Sequence, residues 1–233
     1  MTENLSCLKV FLGGSFDPVH EGHLRTASSL REELCVPEVF LVPAARSPLK
    51  NNATADDHRL AMLQLAVSGY AGLVIDTREL QRPPPSYTAD TLRELRAEYG
   101  DQQPLAWVLG SDVLADFGLW PGWRELIGLS HLIIVERHGS ALPRSGDVAV
   151  WLEAHVREQP LFDSASKWNS ASSLPNRLNS TPNGQVLCLS LPQHPFSSTS
   201  IRAAMVRGER PDGLPESVWH YAIKHQLYPI EVE

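Results

Sequence analysis

The chain has 233 residues and a formal net charge of −7 at pH 7, with 42% hydrophobic and 20% charged residues. That suits a globular protein long enough for one α/β domain with a full core; no apolar run is long enough to cross a bilayer, and no basic-then-apolar leader opens the chain. The acidic balance disfavours a nucleic-acid backbone as the main partner, and the three scattered cysteines, Cys7, Cys35 and Cys188, make neither a disulfide framework nor a metal cluster, which points to a reducing cytoplasm.

The first predicted element is a short, buried, β-rich strand over Leu8-Lys9-Val10-Phe11-Leu12. It runs straight into Gly13-Gly14-Ser15-Phe16-Asp17-Pro18-Val19-His20-Glu21-Gly22-His23. Two glycines let backbone turn and approach a ligand without a Cβ in the way, and Asp17-Pro18 marks a turn. Leu24, Ala27, Leu30 and Leu34 then recur at helical spacing. His20 and His23, three apart, fall on one face of the first helical turn, where free N–H groups and the positive end of the helix dipole also lie. Strand, glycine turn and helix mouth make an anion site, and two imidazoles beside it can stabilise charge developing on a phosphate. The string is neither the dinucleotide nor the Walker pattern, and two histidines alone fall short of a zinc site.

Further on, Val39–Val42 reads as a second strand stopped by Pro43. Ala55–Ser68 reads as a helix with Leu60, Leu63, Ala66 and Val67 inward, and Leu73–Ile75 as a third strand. After Pro83-Pro84-Pro85, the loop Ser86-Tyr87-Thr88 enters a helix over Thr88–Tyr99, with Thr88 as its cap; the hydroxyls and N–H groups of that loop either meet a small ligand or only cap. Leu105–Leu109 is a fourth strand ending at Gly110. Asp112, two residues on, either accepts hydrogen bonds from a ribose or caps the next helix. Trp120 and Trp123 flank a Pro-Gly loop, where an indole either packs or stacks on a base or pyridine. His131–Val135 is a fifth strand, Val148–Val156 a helix, Val186–Leu191 a late strand, and Ser200–Val206 and Glu216–Gln226 late helices. Residues 163–184, rich in Ser, Asn and Pro, read as a long mobile surface loop. Alternating β and α units predict a single doubly wound parallel-sheet, Rossmann-like domain over 1–233 with that insertion in it. Such folds bind ligands outside the carboxyl ends of the strands, at the switch in strand order.

One late string completes the chemistry. Ser197-Ser198-Thr199-Ser200-Ile201-Arg202 puts four hydroxyls before a helix and an arginine in its first turn. The hydroxyls cap, the free N–H groups take phosphate oxygens, and the guanidinium adds a planar, permanently charged donor set.

Together, His20-Glu21-Gly22-His23 and Ser197 to Arg202 resemble the hallmark motifs of the His-x-Gly-His nucleotidyltransferase superfamily. Within it the chain is most similar to the bacterial nicotinate-nucleotide adenylyltransferase family. The closest match is Gly13 to His20, with Glu79-Leu80, Ser86 to Leu92, Leu109 to Asp112, Phe117 to Trp120 and Leu214 to Tyr228 in the family's order. The resemblance covers nearly the whole chain outside 163–184. There are departures: Ser47-Pro48-Leu49-Lys50 stands where the family has Pro-Pro-His followed by Lys or Arg, and Arg137-His138-Gly139 where it has Arg-Pro-Gly.

The resemblance implies that ATP and nicotinate mononucleotide are joined to give deamido-NAD and pyrophosphate, in NAD biosynthesis. It implies His20, His23 and Arg202 as the catalytic charge-stabilising set. Gly14, Ser15, Phe16, Gly110, Ser198 and Thr199 would complete the ATP side. Lys50, Ser86, Tyr87, Thr88, Asp112, Trp120 and Arg137 would line the mononucleotide side, with Trp120 stacked on the pyridine ring. Mg²⁺ would ride on the ATP phosphates with no dedicated protein site. The partners would be these small molecules, with no nucleic acid and no membrane, in a monomer or homo-oligomer. Two rival readings carry a different acceptor (nicotinamide mononucleotide, phosphopantetheine or glycerol phosphate), or ATP binding for regulation without turnover. An aminoacyl-tRNA synthetase fragment is disfavoured by the acidic balance, the short chain and the lack of a late Lys-rich loop.

Overall fold

In the computed structural model of the chain, the residues described are 7–45, 54–137, 140, 142–156 and 173–229. Six strands form one sheet: β1 (Lys9–Gly14), β2 (Val39–Pro43), β3 (Leu73–Ile75), β4 (Leu105–Gly110), β5 (His131–Val135) and β6 (Val186–Leu189). Their order is β3-β2-β1-β4-β5-β6 and every pairing is parallel. The chain builds outward from β1 to β3, then returns across β1 to start β4. The switch point therefore lies between the carboxyl ends of β1 and β4, at Gly14 and Gly110.

The helices are α1 (Glu21–Glu33), α2 (Asp56–Val67), α3 (Thr88–Tyr99), α4 (Leu126–Leu129), α5 (Asp147–His155), α6 (Ser173–Asn179), α7 (Ser198–Val206) and α8 (Glu216–Lys224). The sheet is buried on both faces, as the period-2 geometry of its strands requires. Val10 and Leu12 of β1 pack under α1, α2, α7 and α8, while Phe11 between them packs with α3, α4 and α5. Among the described residues no helix is long and apolar enough to cross a membrane.

Three expectations need correction. The inward face of α2 is Arg59, Met62, Leu63 and Ala66; Leu60 and Val67 are only half-buried. The reason is Arg59, whose guanidinium finds enough carbonyls to be buried, so the face turns toward it. Thr88 is the first helical residue of α3 and not its cap: Tyr87 holds that place with no side-chain bond. Finally, 173–184, expected as part of a mobile loop, holds α6 and a well-anchored turn. Leu178 is fully buried. His131 Nε2 donates to Leu178 O and Thr181 O at 3.1 and 2.9 Å, and Arg96 Nη2 donates to Pro182 O at 2.6 Å. Asn179 Oδ1 accepts from Leu8 N–H at 2.8 Å. Donors from β5, from α3 and from the residue just before β1 fix a segment whose own side chains are mostly polar. Residues 163–172 lie outside the described residues.

Candidate active site

The β1–α1 connection builds the first half of the site. Gly13 and Gly14 are strand residues, and their missing Cβ atoms serve packing within the fold. A Cβ on Gly13 would sit 2.6 Å from Trp107 Cζ2, and one on Gly14 would sit 3.0 Å from Phe16 Cζ. The turn itself is made at Phe16, which adopts φ +46°, a conformation rare for a bulky residue. Phe16 is almost fully buried, with its ring edge-to-face against His23 at 5.0 Å.

His20 is the N-cap of α1. Its Nδ1 accepts from Gly22 N–H at 3.1 Å, and His23 Nδ1 accepts from His20 N–H at 3.3 Å. Imidazoles thus do the work that Ser and Glu side chains usually do in a reciprocal cap. Gly22 leaves room for it, since a Cβ there would crowd the His20 ring at 3.0 Å. An Nδ1 that accepts carries no proton, so each neutral ring must be protonated on Nε2. The rings stack at 3.8 Å and 28°. His20 is 2% exposed. Burial, helped by the Arg137 cation, pushes its pKa from 6.5 down to about 3, so His20 is a neutral Nε2–H donor at physiological pH.

The late motif arrives at the same loop. Ser197 caps α7 by accepting from Ser200 N–H at 3.0 Å. Arg202 Nη1 donates to Asp17 O at 2.6 Å, and Ser198 Oγ donates to Pro18 O at 3.0 Å. Thr199 Oγ1 accepts from Arg202 Nη2 at 3.4 Å. Residues some 180 positions apart in sequence therefore meet two and three residues before His20.

Three groups that sequence reasoning missed hold this loop. Arg59, 1% exposed, donates to Ser15 O at 2.5 Å, Ala44 O at 2.6 Å and Thr54 O at 3.1 Å, and pairs with Asp56 at 2.6 Å. Asp17, also buried, accepts from Thr54 N–H at 3.2 Å through Oδ2 and from Tyr228 O–H at 2.5 Å through Oδ1. The phenol, buried against that carboxylate, is held far above its ordinary pKa and stays a donor. An arginine and an aspartate in polar helical and turn sequence read as solvated, and nothing local marks Tyr228.

On the other side of the switch point, Gly110 ends β4, and Arg137 Nε lies 3.2 Å from where its Cβ would be. Arg137 N–H donates to Ser111 Oγ at 2.9 Å. Its Nε is buried without a hydrogen-bond partner, 3.9 Å from the half-exposed Asp112 carboxylate. Arg137 shares a cleft with Gly22, Thr26 and His194, so this residue, expected on the mononucleotide side, also borders the α1 mouth. Ser86, Tyr87 and Thr88 stand at the start of α3, all half-buried. The Trp120 loop comes to them: a Cβ on Gly122 would sit 3.1 Å from Ala89 Cβ. Trp120 is half-buried, edge-on to Phe117 at 5.5 Å. Lys50, with Ser47, Pro48 and Leu49, lies outside the described residues.

Donors of this kind at a helix mouth, beside a Rossmann switch point, suit a nucleotide held by its phosphates. Comparison with known proteins fits. Residues 11–204 match the family model for cytidylyltransferase-like proteins. The chain is 42% identical over 229 residues to a probable nicotinate-nucleotide adenylyltransferase of Laribacter hongkongensis, covering 94% of this chain and 93% of the relative. The chain belongs to the nicotinate-nucleotide adenylyltransferase family. A second member, named in the same words in Stenotrophomonas maltophilia, is 40% identical over 233 residues, covering 95% of this chain and 96% of the relative. The family's fold is also found in a solved structure, the Plasmodium falciparum nicotinic acid mononucleotide adenylyltransferase complexed with NaAD. It superposes with a TM-score of 0.68 at 18% identity, over 97% of this chain and all of that one.

Proposed function

We infer that the chain transfers the adenylyl group of ATP to nicotinate mononucleotide, releasing pyrophosphate and forming deamido-NAD, a step of NAD biosynthesis. A phosphate oxygen of the mononucleotide attacks the α-phosphorus of ATP. The new P–O bond forms as the bond from the α-phosphorus to the bridging oxygen breaks, and that electron pair leaves on pyrophosphate. The nucleophile is already an anion, so the protein has to align two phosphates and meet the charge that shifts between them. His20 and His23 do this with Nε2–H groups whose direction is set by the backbone bonds at Nδ1. Fixed donors of this kind need no reorganisation as charge develops. Arg202, Ser198 and Thr199 take the leaving pyrophosphate, and Gly14, Ser15, Phe16 and Gly110 border the ATP. Ser86, Tyr87, Thr88, Asp112, Trp120 and Lys50 receive the mononucleotide, with Arg137 between the two substrates.

Imidazole N–H and guanidinium groups bind phosphate oxygen and not cations. Among the described residues no group of three or more His, Cys, Asp or Glu stands together as a metal site. Mg²⁺ on this reading comes bound to the triphosphate and neutralises its charge. The partners are the two small molecules, and the working compartment is the cytoplasm. The observation that carries the reading is the meeting of Arg202 with the Asp17–His20 loop. Its test is pyrophosphate release from ATP-Mg²⁺ with nicotinate or nicotinamide mononucleotide in parallel. Release with the acid, and at least about tenfold less with the amide (the discrimination one mismatched charged contact supplies), is the expected outcome. Release only with another acceptor, or with none, contradicts it.

A further inference from the structure

Glu79-Leu80 belongs to a 3-10 turn, Arg78–Gln81, between β3 and α3, and the reaction as derived makes no use of it. Glu79 is nonetheless only 5% exposed, and Thr91 behind it is fully buried. Arg82 Nη2 donates to Thr91 Oγ1 at 2.6 Å, and Thr91 Oγ1 donates to Glu79 Oε1 at 2.7 Å. A guanidinium only donates, so Thr91 Oγ1 accepts from Arg82 and turns its own proton to Glu79, with Tyr87 O a longer second acceptor at 3.4 Å. The same Arg82 Nη2 donates to Ser86 Oγ at 2.5 Å, and Nη1 donates to Glu94 at 2.9 Å. One arginine thus ties the 3-10 turn, the Pro83–Pro85 loop and α3 together at the point where the chain enters the mononucleotide pocket. The Ser86 hydroxyl is engaged from inside by this arginine. Besides the half-buried Tyr87 and Thr88 side chains, the turn then offers a ligand its backbone, including the first N–H groups of α3, which have no carbonyl one turn back.

We propose that Glu79, Arg82 and Thr91 are positioning residues that set the Ser86–Thr88 turn to receive the pyridine mononucleotide, touching no substrate themselves. This rests on the reading that the turn lines that pocket. Arg82 also pairs with Glu79 directly at 3.9 Å, and Ser86 hydrogen-bonds Glu79, but buried Thr91, which cannot reach a ligand, is the link that a near-isosteric change removes without altering the turn itself. Thr91→Val keeps the volume and breaks both bonds. A misplacement approaching 1 Å costs up to about a hundredfold in a positioned reaction.

The test is steady-state kinetics of the full chain with each substrate varied in turn. For Thr91→Val, KM for nicotinate mononucleotide should rise about tenfold, part of that limit, with KM for ATP changed less than about twofold. A general loosening of the fold would move both. Arg82→Lys, which keeps the charge and loses the fork, should give the same split, and it stands in should the valine variant not fold. An unchanged KM for the mononucleotide in the folded variant, or equal rises for both substrates, overturns the proposal while leaving the activity intact. Absence of product from the unaltered chain overturns the reading of the pocket and the proposal together.

Discussion

The two ends of the site are built differently. At the phosphate end, the charged and imidazole groups expected to meet ATP are held largely through backbone atoms. Asp17 O and Pro18 O take Arg202 and Ser198, Ser15 O takes Arg59, and the two imidazoles are oriented by main-chain N–H groups. At the mononucleotide end, the turn is held by a side-chain relay, Arg82 to Thr91 to Glu79. Asp112 and Trp120 stand partly in solvent. Backbone-locked donors suit a partner that never changes, since any triphosphate presents the same oxygens. A turn set by side chains can be reshaped by single substitutions without disturbing the sheet. On the function proposed above, the first end carries the chemistry and the second the choice of acceptor.

The most damaging change should be at the first end. His20→Asn keeps an N-cap oxygen for α1, and Asn is among the best caps, so the fold should survive. It removes an oriented Nε2–H, and loss of one such donor costs about a hundredfold or more in turnover. Pyrophosphate release measures it; near-normal turnover would show that the imidazole pair is only a cap. The second largest effect should be on stability. Arg59→Met removes the donor shared by Ser15 O, Ala44 O and Thr54 O. Stranding buried partners in this way costs about 3 kcal/mol. Urea unfolding reads the loss, and a shift below about 1 kcal/mol (the scale of an exposed pair) would mean that the loop holds itself. The smallest effect, the mononucleotide-selective rise in KM for Thr91→Val, would separate the ends most cleanly, because no comparable split is expected from Arg59.

The sheet was legible in the sequence because buried parallel strands are short apolar runs punctuated by Gly and Pro; all six strands fall within two residues of their expected ends, with β6 stopping early at Leu189. The His20–His23 and Ser197–Arg202 strings were legible because their residue types carry their chemistry locally. What the sequence hid depends on distant partners. Arg59 sits on a helix face that reads as polar, and only carbonyls from three other segments make its burial possible. Asp17 reads as a turn residue, yet its carboxylate is where Tyr228 and Thr54 meet. The α6 segment looks too polar to be fixed, and donors from β5 and α3 fix it. The glycines of β1 were legible as necessary, but the Trp107 and Phe16 rings packed beside them were not.

The central claim is that two imidazoles and one guanidinium from opposite ends of the chain grip one triphosphate. A crystal structure of the chain with Mg²⁺ and a non-hydrolysable ATP analogue tests it most directly. In it His20 Nε2, His23 Nε2 and an Arg202 guanidinium nitrogen should each lie about 2.7–3.2 Å from phosphate oxygens, with Nδ1 of both rings still accepting from backbone. A triphosphate bound elsewhere, with Arg202 still closed on Asp17 O and no phosphate between it and the histidines, would contradict it.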